Sequence, residues 1–598
     1  MICCSSTRRP ARVLLSSMAP SLAVGLLAAS ALAAPPLSIR DIAPKSSVLV
    51  VGADDLAGAW GRFQKTPLWG LWKSEEFQKA FAPMMEQMNE AMEESARDLG
   101  RPDASWTAPA SFGFALYPML DEELGLERPC VIGFIDWGAG GGSLELLEAM
   151  LDDFEKDGAL GRTDLRGEVV RTIDLGDGEE EMDENFDDLG GFLEPDLGFD
   201  DIETLYIHRA GDRHLFTTDL VALEEMLSSI DDRGGAASIG TSDDFTDTMD
   251  LLRGPDLYGM LFTANAQRML SGGDMAFMLA TAQPIVSRLF GDIRTHAFGL
   301  EVGGEGDAMI DQTIAMTVPG EKAGLLGLIT MESPVAAPPA MVPADAMGYG
   351  RINVRFDRIM PTIREVVDGL GEMERQQIEG ALMQFGPMLE QAFASMDPSV
   401  QIFNRVRMPI DVDSMETLVA IPCNDPTQVE PMIALAGPGM GLMRRDFQGQ
   451  AIYSDEFSPM AIGLGQGHVL IGAASAVEQV LRGGAVEAEE TFADTKAARD
   501  AMRAFGDKRV VGFGFSDVIA SLRVQQKLMA DLGVFEEMEL ALDDDPDGGL
   551  PDMDFGEVDF EALLDPDLWK RYLGPAIWDF TVADRGFVMS SRLLPPVE

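Results

Sequence analysis

The sequence predicts an α+β fold built from two diverged copies of one unit, each a largely antiparallel sheet with packed helices, interrupted by acidic loop insertions. Three observations predict it: apolar and polar residues alternate in long runs around Phe298 to Met316 and Trp578 to Leu594, hairpin-turn sequences such as Ala583-Asp584-Arg585-Gly586 sit inside such runs, and short motifs recur in the same order in both halves. Alternation puts one apolar face on a strand, and helical-period stretches between strands supply the covering layer, expected on one face of the sheet.

At the N-terminus, Arg8, Arg9 and Arg12 precede the apolar run Val13 to Ala29 and the small-residue sequence Ala31-Leu32-Ala33, with no acidic residue among them. That is the layout of a secretory signal peptide over 1–33, and it predicts an exported protein, periplasmic or extracellular. No later stretch offers the ~20 uninterrupted apolar residues of a membrane span. The mature chain is therefore expected to have none.

The chain carries 45 basic and 100 acidic residues, a net charge of −55, and losing the three signal arginines leaves 42 basic residues and −58. Such a field repels nucleic acid and anionic lipid and favours cations. A hydrophobic content of 46% is that of a folded protein, so the charge surrounds real cores. Cys130 and Cys423 remain after cleavage, one in each half; they form neither a disulfide framework nor a zinc site alone, and either pair with each other or stay separately buried.

The first repeat spans 34–331. It opens with Pro44-Lys45-Ser46-Ser47 and the apolar run Val48 to Val51, echoed by Pro343-Ala344-Asp345-Ala346 and Met347 to Ile352 in the second repeat, 341–598. Pro83-Met84-Met85-Glu86-Gln87 matches Pro387-Met388-Leu389-Glu390-Gln391, and His214-Leu215-Phe216 with its following helix matches His468-Val469-Leu470 with its own. Thr241, Asp244, Asp250 and Arg253 align with Thr491, Asp494, Asp500 and Arg503, and Gly259 and Phe262 with Gly512 and Phe515. Between the repeats, 332–340 is rich in proline and reads as a linker without regular structure. Two tracts free of Lys and Arg, Asp174 to Asp201 and Glu536 to Asp567, read as acidic insertions on the repeated scaffold.

The Pro-Ala-Asp before an opening strand, the strand-loop-helix Val419-Ala420-Ile421-Pro422-Cys423-Asn424-Asp425-Pro426, and the Gly467-His468-apolar strand followed by an alanine-rich helix resemble exported proteins grouped as domain of unknown function 3352. The resemblance covers most of the mature chain. It implies an exported α+β protein, and supplies no established activity and no catalytic residues.

One stretch has metal-ligand spacing. In Asp543-Asp544-Asp545-Pro546-Asp547-Gly548-Gly549-Leu550-Pro551-Asp552-Met553-Asp554, an EF-hand-like calcium loop would take oxygens from Asp543, Asp545, Asp547, the Gly549 carbonyl and Asp554, with Gly548 at the bend. Pro546, Pro551 and the short Asp554 depart from the pattern, and the competing reading is a solvated acidic loop. The glycines of Gly138 to Gly142 read as a strand-to-helix connection rather than a phosphate loop, and Gly463, Gly465 and Gly467 as a hairpin turn. His208 and His214 read as facing each other across a short hairpin around Gly211, a weak metal or pH-switch candidate.

These features favour a non-enzymatic binding or cell-envelope scaffold protein with calcium as the candidate cofactor and a protein or envelope component as partner. The alternative is a secreted hydrolase using paired carboxylates, such as Asp54-Asp55, in a cleft between the repeats near Trp60, Trp69 or Trp72.

Overall fold

The structure is a computed structural model, and it describes residues 37–105, 107–121, 126–138, 142–175, 202–232, 237–270, 286–304, 308–407, 414–455, 460–482, 491–531 and 565–596. Leader 1–33, most of both acidic tracts, and the whole calcium-loop candidate lie outside these residues.

Twenty strands join edge to edge in one antiparallel sheet. In the first half they are β1 (Leu49–Ala53), β2 (Ser111–Asp121), β3 (Leu126–Asp136), β4 (Gly161–Leu165), β5 (Glu168–Asp174), β6 (Thr204–Ala210), β7 (Arg213–Thr217), β8 (Leu257–Phe262), β9 (Thr295–Val302) and β10 (Ile310–Thr317). The second half supplies β11 (Ala346–Ile352), β12 (Val400–Val406), β13 (Met415–Pro422), β14 (Met443–Phe447), β15 (Gln450–Ser454), β16 (Met460–Gly465), β17 (His468–Ala473), β18 (Gly512–Ser516), β19 (Ala576–Ala583) and β20 (Gly586–Leu593). The pairings run β4-β5-β6-β7-β3-β2-β1-β8-β9-β10 and, across the sheet, β14-β15-β16-β17-β13-β12-β11-β18-β19-β20. The second half thus repeats the strand order of the first. β10 and β20 pair antiparallel along their full length and form the seam between the halves, with Ile314 opposite Met589.

The fold is α+β, as the alternation predicts, and the hairpins close where turn chemistry directs. Ala583 pairs with Gly586 across the predicted turn. Gly465 pairs with His468 across Gln466 and Gly467, both at positive φ, the two-residue loop whose twist matches that of the strands. Gly463, by contrast, lies inside β16, not in the turn, where a Cβ would come within 2.5 Å of Val477.

Helices cover both faces, where the sequence suggested one. On the first face, α1 (Ile39–Ile42), α6 (Leu220–Asp232) and α7 (Asp243–Leu252) bury Ile39, Leu223, Met226, Phe245 and Leu252 over Val50, Ile132, Phe134, Leu215 and Tyr258. The second half repeats this with α12 (Ala474–Leu481) and α13 (Lys496–Phe505) over Tyr349, Phe403, Leu418, Phe513 and Phe515. On the opposite face, α5 (Gly142–Lys156) packs Leu144, Leu147 and Leu151 on Ile135 and Ile173. There too, α10 (Glu372–Ser395) and α11 (Pro426–Ala436) pack Ala392, Val429 and Ile433 on Leu464 and Val469. The physical reason is that the outer strands alternate two apolar sets, so both of their faces need a partner.

The element positions also correct the alignment of the halves. Helix α7 begins at Asp243 and α13 at Lys496, 253 residues later, which is the offset of Gly259 to Gly512; matching Thr241 to Thr491 uses 250 and is three residues out of phase. Within the expected linker, Ser333 and Pro334 pair with Val510 and Arg509, so this stretch is docked rather than structureless. A proline tolerates that place because a two-residue edge pairing needs few N–H donors.

Four further helices connect these layers: α2 (Leu56–Phe63), α3 (Pro67–Trp72), α4 (Glu75–Asp98) and α8 (Thr263–Leu270) lie in the first half. Asp55 caps α2 by accepting from the Gly58 N–H, and the Ser74 hydroxyl caps α4 by accepting from the Phe77 N–H. The second half adds α9 (Ile359–Val367) and α14 (Val518–Asp531) and, before β19, α15 (Pro566–Trp569).

Candidate binding face at the sheet centre

The central strands invert the usual pattern. On β9, β10 and β20 the polar set, Thr295, Asp311, Thr313, Thr317, Ser590 and Arg592, is the buried one. Several of its groups pair: the Thr248 hydroxyl on α7 lies 2.7 Å from that of Thr295, which in turn meets Thr317, and the Arg592 guanidinium donates to Asp579 at 2.5 Å, while Arg592 Nε and Asp311 Oδ1 are buried without a hydrogen bond among the described residues. The alternate residues form the other face. Ile314 is 50% exposed, Phe298 40%, Leu261 39% and Met589 37%.

Register places these side chains in rows across the strands. One row runs Phe114, Val51, Gly259, Phe298, Ile314, Met589, Phe580, Gly512 and Ile352, each directly opposite the next. Nine strands at about 4.8 Å spacing make it about 38 Å long. The aromatic rings lie across glycines on the neighbouring strand: a Cβ on Gly259 would come within 2.4 Å of Phe298, and one on Gly514 within 2.4 Å of the Trp578 indole nitrogen. Small residues here let large rings lie flat and keep the floor continuous.

At one end of the floor, Arg62 on α2 donates from Nε to the Val302 carbonyl at 3.0 Å and ion-pairs with Asp256, tying the first-half helices to β9. Burial, the largest influence on it, raises the Asp256 carboxyl despite this guanidinium and the Val302 N–H. Next to them, Trp72, Phe77 and Trp569 pack together and Arg571 donates to Glu76 at 3.0 Å, joining α3 and α4 to the segment that leads into β19. On the floor itself lies His296, whose pKa is lowered by partial burial of its ring.

The other sequence candidates resolve as structural. His208 pairs with Leu215 and His214 with Arg209, so on neighbouring register positions the two histidines point to opposite faces and do not meet. His214 is buried; its Nδ1 accepts from the Trp137 indole N–H at 2.9 Å, which leaves the proton on Nε2 to donate to Glu148 at 2.7 Å. With its lone pair occupied, this imidazole is no general base. Asp54 accepts from the Ser38 hydroxyl at 2.7 Å and Asp55 caps α2, so both carboxylates hold structure. Trp60 and Trp69 pack on each other and on Phe63. Cys130 and Cys423 are separate, buried free thiols, and burial raises the Cys130 pKa.

Among the described residues no group of three His, Cys, Asp or Glu side chains is placed to hold a metal, and no helix is long and apolar enough to cross a membrane. Asp543, Asp545, Asp547, Gly549 and Asp554 lie outside the described residues.

The sequence reading passed over the open face, although a signal for it existed. The polar alternates of β9, β10 and β20 are mostly hydroxyl residues, which can be buried in pairs, rather than the Lys and Glu that mark a solvent face. The molecule is thus an α+β protein whose twenty-stranded antiparallel sheet is, among the described residues, covered on one face; on the other, Phe298, Ile314 and Met589 at the centre stay part-exposed, while Met316, Phe580 and Phe587 beside them pack with Val318 and Leu326. In comparisons with known proteins, no family model, no curated protein and no solved structure matches this chain.

Proposed function

We propose that this chain is a non-enzymatic, exported binding protein that holds an apolar partner surface on the open centre of its sheet. The observation that supports this most is the exposed row Phe298, Ile314 and Met589, flanked by half-buried apolar residues on both sides. Exposed apolar side chains clustered on one sheet face, unlike singly scattered ones, mark interaction surfaces. Export rests on the 1–33 leader, and the likeness to the exported family of domain of unknown function 3352 rests on its sequence motifs. Calcium association through the 543–554 loop remains part of the reading as a separate, stabilising role.

Nile red, a neutral apolar dye, provides the test. The full chain should bind it saturably, and Ile314→Ser with Met589→Ser should weaken binding about thirtyfold or more, since each lost side chain forfeits about 1–2 kcal/mol of apolar contact. Both positions are solvent-facing, so the thermal midpoint should stay close to that of the parent. Binding that ignores these substitutions overturns the proposal.

A further inference from the structure

We propose that the occupant of this face is a cationic amphipathic segment of another protein, its apolar side on the floor and its basic side toward the strongly acidic protein around it; the inference rests on the binding-face reading above.

Charge selects the partner. A chain of net charge −55 repels a second copy of itself and an anionic membrane surface alike, while a basic partner gains from the same field. Part of this charge is carried by helix α4, tied near its N-terminal end to the β19 approach through Glu76 and Arg571, where exposed Glu86, Glu90, Glu93, Glu94 and Asp98 outnumber Lys79 and Arg97. The row from Phe114 to Ile352 contains no Lys or Arg that could pair an anionic head group.

The kind of apolar contact fits too. On the same side of the sheet, Met373 and Met383 of α10 and Met415 of β13 join Met589 as exposed thioethers. Unbranched, polarisable side chains adapt to varied apolar faces, and acidic, methionine-rich surfaces suit amphipathic helices with basic flanks. A helix about 10 Å wide fits across two or three strands of this floor.

The experiment is displacement of Nile red from the full chain by three model peptides: an amphipathic Leu/Lys helix, a Leu/Glu helix with the same apolar face, and a scrambled Leu/Lys peptide of the same charge. The Leu/Lys helix should displace the dye at a concentration at least tenfold below the Leu/Glu helix, with the advantage shrinking in 0.5 M salt, and the scrambled peptide should not displace it. Equal potency of the two helices, displacement by the scrambled peptide, or no displacement by either helix while the dye still binds overturns the inference and leaves the binding face standing. Failure of the dye to bind at all removes the face itself, and the two failures are read separately.

Discussion

The Phe298 ring on β9 rests on Gly259 of β8, so closely that a Cβ added to the glycine would sit 2.4 Å from the ring. The second half has the same arrangement in Trp578 of β19 and Gly514 of β18, also at 2.4 Å. Gly259→Ala should therefore displace Phe298 or the strand beneath it and lower stability by about 1–3 kcal/mol, the usual cost of overpacking. The parent and the variant should be compared by thermal unfolding. Phe298→Ala combined with Gly259→Ala should recover most of the loss caused by the glycine substitution, because the double variant removes the clash; if the two losses simply add, the ring and the glycine are not coupled.

Under the seam the Arg592 guanidinium is buried with Asp579, and Lys508 stands 3.8 Å from the same carboxylate. Removing one partner leaves a buried charge unpaired, so Asp579→Asn should cost about 3 kcal/mol or more, measured by denaturant unfolding. The double replacement Asp579→Leu with Arg592→Met should be milder than either single change, since two desolvated charges leave together. A double variant as damaged as the sum of the singles would mean that the pair is not energetically coupled.

Much of this architecture was legible in residues. The opening strands, the β9–β10 and β19–β20 hairpins and the Ala583–Gly586 turn follow from alternation and turn chemistry, which act locally. What was not legible depends on partners far apart in the chain. Nothing near Ile314 announces that Met589 will lie beside it, nor that Thr248 will reach across to bury Thr295 and so turn the apolar set outward. The two faces of the outer strands likewise look alike until α5 or α10 is placed on them. The three-residue slip in aligning Thr241 with Thr491 arose because single polar residues recur by chance, whereas helix ends and the Gly259 and Gly512 positions are tied to the sheet.

The calcium loop makes its own prediction. If Asp543, Asp545, Asp547, the Gly549 carbonyl and Asp554 converge on one ion, calorimetric titration of the mature chain should give saturable calcium binding that the combined Asp543→Ala and Asp547→Ala variant loses. Magnesium should compete poorly, because its smaller, octahedral shell suits a loop interrupted by Pro546 and Pro551 badly. Binding unchanged by the substitutions would identify diffuse attraction by the acidic tract.

Acid should dissect the network around Glu148. Burial opposes its charge, but the hydrogen bond from His214 and the Arg171 guanidinium, 3.1 Å away, hold the carboxyl down to about 2 against an ordinary 4.5. A folded pKa below the unfolded one means the charged form stabilises the fold, by about 3 kcal/mol as an order of magnitude, in full above pH 4.5. That contribution is lost as pH falls from 4.5 through about 2, and is gone only below that, where Glu148 is protonated in both states. Glu148→Gln removes the titration, so the stability gap between parent and variant, followed by chemical denaturation from pH 7 downward, should be constant to about pH 5 and then close. Relief of repulsion among the many other carboxylates affects both proteins equally and cancels in that difference. A gap that stays constant through pH 3 would show that Glu148 holds its partners by hydrogen bonding alone and not through its charge.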